Sequence, residues 1–157
     1  MGDISIWWFV GVGGFVLLVL AVRWLAHFGK MVMAERAREL FRLQHERFEE
    51  MLLKAASETG KPRGLRWLGC SITGDAVLVR DTATRQIVAL VPVLLTFEPI
   101  EGSDMEDVSA ARDPRPATAL FTFEKGHWHT TGRIVMNHTP HQAIAAFGTQ
   151  FKLIEHH

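Results

Sequence analysis

The first hydrophobic pattern is an uninterrupted apolar stretch near the start of the chain. From Ile4 to Val22 no side chain is charged and only Ser5 is polar. A helix needs about 20 mainly apolar residues to cross a bilayer core, and tryptophan, which favours the membrane interface, stands near both ends of the stretch. The pattern predicts a transmembrane helix over residues 4–28. The residues assigned to this anchor are Ile4, Trp7, Trp8, Val22, Arg23 and Trp24.

Basic residues beside this stretch predict its orientation. None precedes it, and those that follow are Arg23, Lys30, Arg36, Arg38 and Arg42. Lys and Arg are enriched on the cytoplasmic side of membrane spans, so residues 1–3 are expected outside the cytoplasm and residues 61–157 inside it, as a folded domain. A cleaved signal peptide is disfavoured because no positive charge precedes the stretch. The prediction is a single-pass signal-anchor protein with the lipid bilayer as one partner.

Residues 29–60 show the spacing of an amphipathic stalk helix. Over residues 31–57 apolar side chains recur three or four positions apart, which places them on one helix face. Such a face must be covered, either by the chain's own sheet or by the same helix of a second copy. The drift from heptad spacing at Gln44 favours the sheet. Two phenylalanines on this face, Phe41 and Phe48, are candidates for binding a partner.

Beyond residue 60 the hydrophobic period changes to two, which is typical of β-strands. The segment from Gln86 to Phe97 is apolar on both faces and therefore needs cover above and below. Pro92 removes one hydrogen-bond donor from it, so a bulge or a sheet edge is expected nearby. The other predicted strands are residues 65–72, 76–80, 117–124 and 128–137.

A short helix is expected near the end of the chain. Thr139, Pro140 and Gln142 stand where an N-cap, a first-turn proline and a capping-box residue belong, so the helix is predicted from Pro140 to about Phe151. The elements together predict an α+β fold. It consists of an N-terminal transmembrane helix that continues into the stalk, a mainly antiparallel sheet of about five strands, and a short C-terminal helix.

Composition narrows the function classes. The 17 Lys and Arg balance the 17 Asp and Glu, so no strong overall field attracts nucleic acid, and no nucleic-acid partner is expected. Cys70 is the single cysteine, which excludes an intrachain disulfide and a cysteine-based zinc cluster. The sequence contains neither a GxSxG nucleophile motif nor a phosphate-binding loop. It predicts no cofactor and favours a protein that is not an enzyme.

Four histidines close together in the sequence leave a metal site open as an alternative. Two of them share one face of a predicted strand, and a third ligand from the start of the last helix would complete a zinc site. No HExxH motif or acid at a diagnostic spacing accompanies them, which favours ordinary polar surface positions. The candidate metal ligands are His127, His129, His138 and His141.

The connection at residues 98–116 is long and rich in acidic residues, glycine and proline. Connections longer than about 12–15 residues are uncommon in compact domains, and many of them are functional binding loops. This one lacks the EF-hand calcium pattern. Its candidate partner-binding residues are Glu101, Asp104, Glu106 and Asp107.

Three segments carry a resemblance to other sequences: KPRGLRW at residues 61–67, RDTATRQIVALVPVLLTFEPIEGSDMEDV at 80–108, and GRIVMN at 132–137. They resemble stretches of uncharacterised bacterial single-pass membrane-anchored proteins that have a small cytoplasmic α+β domain. The resemblance covers the stalk and the domain. It implies a location and a fold, and it implies no particular activity.

These patterns favour a non-enzymatic, membrane-anchored interaction or scaffold protein that binds another protein or its own copies. A related hypothesis is an accessory subunit of a larger membrane complex, in which the single helix packs against other helices. The alternative is a metal-dependent enzyme or a metal-binding domain that uses the four histidines.

Overall fold

The computed structural model describes residues 3–60 and 64–154 of the chain. Within them, the side chains of residues 3–13, 26, 27, 30, 31 and 45 are not described. The chain divides into two compact units, Met1–Arg36 and Ala37–His157.

The first unit is the greater part of helix α1, which runs from Asp3 to Arg42. Its described apolar side chains are exposed to solvent along the segment Phe15–Phe28. Within this segment the rings of Trp24 and Phe28, one helical turn apart, stack with their centroids 5.7 Å apart. The helix is thus well formed, but it leaves its large apolar side chains uncovered by the rest of its own unit.

The predicted membrane span is corrected by the structure. Among the described residues, no helix combines the length and the apolar character that crossing a bilayer requires. The transmembrane and signal-anchor predictions, the single-pass membrane location and the orientation with a cytoplasmic C-terminal domain are therefore wrong.

The predicted anchor residues fall into two groups. The side chains of Ile4, Trp7 and Trp8 lie outside the described part of the chain. Those of Val22, Arg23 and Trp24 lie on α1 and are exposed. All three residues lie in helix α1, as the sequence pattern predicted. The structure does not support their assignment to a membrane span.

In the second unit the predicted stalk is interrupted. Helix α1 ends at Arg42 and helix α2 runs from His45 to Thr59, with a tightened turn at Leu43 and Gln44 between them. In an unbroken helix, side chains seven positions apart are separated by about 10 Å along the axis. The turn instead brings the rings of Phe41 and Phe48 to a centroid distance of 4.6 Å. A single unbroken stalk helix was therefore the wrong expectation: the helix is interrupted at the turn that lets both rings pack on Phe121.

The described strands form one sheet in which every pair is antiparallel. Its order is β5-β4-β3-β2-β7, with β1 also beside β3 and β6 also beside β4. The strands are β1 (Leu65–Ile72), β2 (Val77–Asp81), β3 (Ile87–Pro99), β4 (Arg115–Glu124), β5 (His127–His129), β6 (Ile134–Met136) and β7 (Phe151–Leu153). The α+β class and the mainly antiparallel sheet are confirmed, with seven strands where about five were expected.

Strand β3 is the centre of the sheet, as its apolar character on both faces indicated. Its residues 87–90 pair with β2 and its residues 93–99 pair with β1. Pro92 therefore lies between the residues that pair with β2 and those that pair with β1. Its carbonyl accepts a hydrogen bond of 3.0 Å from the Thr73 N–H. The expected bulge or sheet edge is not found at Pro92 among the described strands; the partner strand changes there instead.

Both faces of β3 are covered. On one face, Phe41 and Phe48 pack against Phe121 of β4. On the other face the buried side chains of Val79, Val88, Leu90, Leu120 and Phe151 form a second cluster, against which residues of helix α3 pack. Helix α3 runs from Pro140 to Phe147 and has the expected capping box between Thr139 and Gln142. The apolar stripe of the stalk thus covers the chain's own sheet.

The predicted strand 128–137 is split into β5 and β6 by an excursion of the chain toward α2. Gly132 lies in this excursion with φ +77°, a conformation that favours glycine. A Cβ at this position would lie 2.6 Å from the backbone of Ala55 and Ala56. The strand breaks because the backbone leaves the sheet here to contact the helix.

Candidate interaction surfaces

The most exposed apolar surface among the described residues is the Phe15–Phe28 segment of α1, called the α1 apolar segment below. Leu17 is 69 % exposed and Trp24 is 65 % exposed. Helical side chains such as these are ordinarily buried in a core, where burial of a leucine contributes about 1.5–3 kcal/mol. The large apolar side chains exposed along the segment are Phe15, Val16, Leu17, Leu18, Val19, Leu20, Val22, Trp24, Leu25 and Phe28.

The two stalk phenylalanines are buried, in contrast to the exposed side chains of the α1 apolar segment. Phe41 and Phe48 are 3 % and 1 % exposed, and their rings belong to an aromatic cluster with Phe121 and Trp128. The cluster is fixed to the helix backbone, because the Trp128 Nε1–H donates a buried hydrogen bond of 2.9 Å to the Ala37 carbonyl. Contacts within the chain therefore bury both phenylalanine rings, and a partner cannot contact them in this conformation.

The acidic connection between β3 and β4 is a chain of turns with one short helical turn at Ser109–Ala111. Its start is fixed to the beginning of β1, because Ile100 N–H and the Ser103 hydroxyl both donate to the Gly64 carbonyl, at 2.9 and 3.0 Å. Glu106 is used within the loop, where its carboxylate accepts the Gly102 N–H at 2.7 Å. The exposed acidic side chains are Glu101, Asp104, Glu106 and Asp107.

The four candidate histidines do not converge. His129 approaches Glu124 at 3.8 Å on the β4–β5 hairpin, while His138 Nδ1 lies 2.8 Å from the Met136 carbonyl. His127 is exposed at the hairpin, and His141 lies in the first turn of α3. Among the described residues, no group of three His, Cys, Asp or Glu side chains is placed to share a metal ion.

A cleft of about 420 Å³ lies where β2 begins and β7 ends. Its polar side chains are Arg38 and His141, and its apolar side chains come mainly from the two strands. The volume is within the range of small-molecule pockets, but the pair supplies no nucleophile with an adjacent base. The described lining consists of Arg38, Ala76, Val77, Leu78, His141, Leu153 and Ile154.

Two ionisable groups lie between α2 and the β1 edge of the sheet. Burial, and secondarily the negative charge of Glu49, raises the pKa of the Cys70 thiol to about 12. A thiol must lose its proton to act as a nucleophile, so this raised pKa disfavours a nucleophilic role for Cys70. Glu49 accepts a hydrogen bond of 2.7 Å from the Ile72 N–H. This contact has no signal in the sequence, because Glu49 resembles the other charged residues on the solvent face of the stalk.

Asp81 organises the turn that joins β2 to β3. Its carboxylate accepts the N–H groups of Ala83 and Thr84, each at 2.9 Å, and the side-chain amide of Gln150 at 3.2 Å. The hydrogen bond from the Thr84 backbone is the largest of the interactions that lower the pKa of Asp81 below its ordinary value. The charged carboxylate is therefore a structural group of the turn.

Comparisons of the chain with protein-family models, with curated proteins and with solved structures gave no match.

Proposed function

We propose that this protein is a non-enzymatic interaction protein that binds a helix of a protein partner, or of a second copy, through the α1 apolar segment. The observation that carries the proposal is the exposure of large apolar side chains along Phe15–Phe28. Single exposed apolar residues are ordinary on a protein surface, whereas a contiguous set of them is characteristic of a binding site. A helical partner fits because helices bury such side chains by packing ridges into grooves.

The chemistry of the second unit supports an interaction protein over an enzyme. The Cys70 thiol is held in its protonated form, and the histidines of the metal alternative occupy separate positions on the hairpin, after β6 and on α3. Neither arrangement favours the metal-dependent alternative. The exposed acids Glu101, Asp104 and Asp107 remain candidates for a second, polar contact with the partner, because the fold leaves them in solvent.

The test is a comparison of the wild-type chain with Leu17→Glu. Sedimentation and chemical cross-linking measure self-association, and affinity capture measures binding of other proteins at reproducible stoichiometry. Because a charge placed at the centre of an apolar interface loses its solvation, we expect Leu17→Glu to weaken association at least about tenfold.

The matched control is Leu43→Glu. Leu43 is 70 % exposed, as exposed as Leu17, but it lies in the turn between α1 and α2, outside the α1 apolar segment. The control variant is expected to associate like wild type. A wild-type chain that sediments as a monomer and captures no reproducible partner contradicts the proposal, and so does an equal loss in both variants.

A further inference from the structure

The outer edge of β1 is a second surface, separate from the α1 apolar segment. Among the described strands β1 pairs with β3 alone, so its other edge has no neighbouring strand. An unpaired edge presents N–H and C=O groups that can pair with a strand of another chain. Proteins that remain unassociated must therefore protect such an edge.

A side chain of α2 occupies this edge. Successive residues of a strand direct their N–H groups to opposite edges, and the Thr73 N–H is bonded to Pro92 of β3. The Ile72 N–H therefore points away from β3, and there it donates to Glu49 Oε1 at 2.7 Å. The carboxylate takes the position that a carbonyl of a neighbouring strand would take.

The rest of β1 is suited to pairing with a second strand. Its residues are LRWLGCSI, with Arg66 as the one charged side chain, and Arg66 already faces Glu98 of β3 at 3.4 Å. The register shifts between Trp67 and Gly69, which leaves Leu68 61 % exposed. A strand with little charge and an exposed leucine is prone to pair with another copy of itself.

We propose that Glu49 guards the outer edge of β1, and that removal of its carboxylate lets this edge pair with β1 of a second copy of the chain. The pairing is antiparallel and isologous, because one edge serves both copies and the assembly closes as a dimer. Glu49 protects the edge through the hydrogen bond that it accepts from the Ile72 N–H. Only a hydrogen-bond acceptor at the position of Glu49 Oε1 can make this bond. The inference does not depend on the function proposed for α1.

The experiment measures the sedimentation mass of the full chain at increasing concentration, in a non-ionic detergent that covers the α1 apolar segment. Association through α1 then does not contribute to the mass. Glu49→Ala is expected to dimerise at least about tenfold more tightly than wild type. Glu49→Gln keeps a carbonyl acceptor and should behave like wild type, as should Glu50→Ala, which removes an exposed acid one position away.

A second substitution locates the contact. Leu68→Lys places a charge on the exposed bulge of β1, and edge charges oppose strand pairing, so Glu49→Ala/Leu68→Lys is expected to return to the wild-type mass. The proposal is overturned if folded Glu49→Ala keeps the wild-type mass, if Glu49→Gln dimerises equally, or if Leu68→Lys fails to reverse the dimer. Should Glu49→Ala not fold by circular dichroism, the shortened Glu49→Asp takes its place with the same criteria.

Discussion

The α1 apolar segment and helix α2 both carry large apolar side chains, yet they use them in opposite ways. On α2 the apolar residues lie on one face, and side chains such as Phe48 and Leu52 are fully buried against the sheet. On the α1 apolar segment they are distributed around the helix and remain exposed. One sheet covers one face of a helix. A helix that is apolar on all sides therefore has to find its cover outside its own unit.

Truncation of Phe48 should show the largest effect, because it removes a ring from the centre of the aromatic cluster. Phe48 contacts both Phe41 and Phe121. Phe48→Ala is expected to lower the free energy of unfolding by about 3–5 kcal/mol, measured by urea denaturation. The matched change on the other helix, Leu17→Ala, should alter it by less than about 0.5 kcal/mol because Leu17 is already in solvent. Similar losses in the two variants would remove the contrast between the helices.

Gly132 tests how closely the sheet excursion approaches α2. Gly132 and Gly102 both have φ +77°, but a Cβ meets the α2 backbone only at Gly132, whereas Gly102 has nothing within 4 Å. Alanine at either position strains the backbone by about 1–2 kcal/mol. Gly132→Ala should be less stable than Gly102→Ala by a further 1–3 kcal/mol or so, from overpacking. Equal melting temperatures for the two variants would show that the chain at Gly132 is not in close contact with the α2 backbone.

Asp81 should give the smallest effect, and one that depends on pH. Its pKa is lowered in the folded state from the ordinary 3.8, so its contribution to stability is present above that value and is lost as the pH falls through the folded-state pKa. Asp81→Asn is therefore expected to be less stable than wild type at pH 7, with the difference shrinking below about pH 4. Thermal melts at pH 7, 5 and 3 measure this, with the exposed Asp75→Asn as the control. A difference that is the same at pH 3 and pH 7 contradicts the role of the charge.

Much of the second unit could be predicted because local patterns and tertiary packing agree there. The strand predicted at 65–72 is β1, and the capping pattern at Thr139 marks the start of α3. Errors appeared where a distant contact overrides the local pattern. The helix break at Leu43 accompanies the packing of Phe41 and Phe48 on Phe121 of β4, and the split between β5 and β6 accompanies the approach of Gly132 to α2.

The candidate surfaces were harder to predict than the fold. The acidic connection was recognisable from its composition, and its acids are exposed as such residues usually are. Phe41 and Phe48 were named as partner-binding candidates on a stripe that was expected to cover the sheet, and the structure buries both against the sheet. The contact of Glu49 with β1 had no local signal, since a glutamate on a charged helix face is ordinarily a solvated residue.

By itself, the sequence determined which segments are apolar, where the hydrophobic period changes from helix to strand, and that Cys70 has no cysteine partner. These properties follow from residue types and their spacing, which do not depend on what lies nearby. The tertiary structure decided which apolar faces are covered, where the long helix breaks, and which polar group meets the open edge of the sheet. Those outcomes depend on contacts between residues far apart in the chain, and spacing along the chain does not encode them.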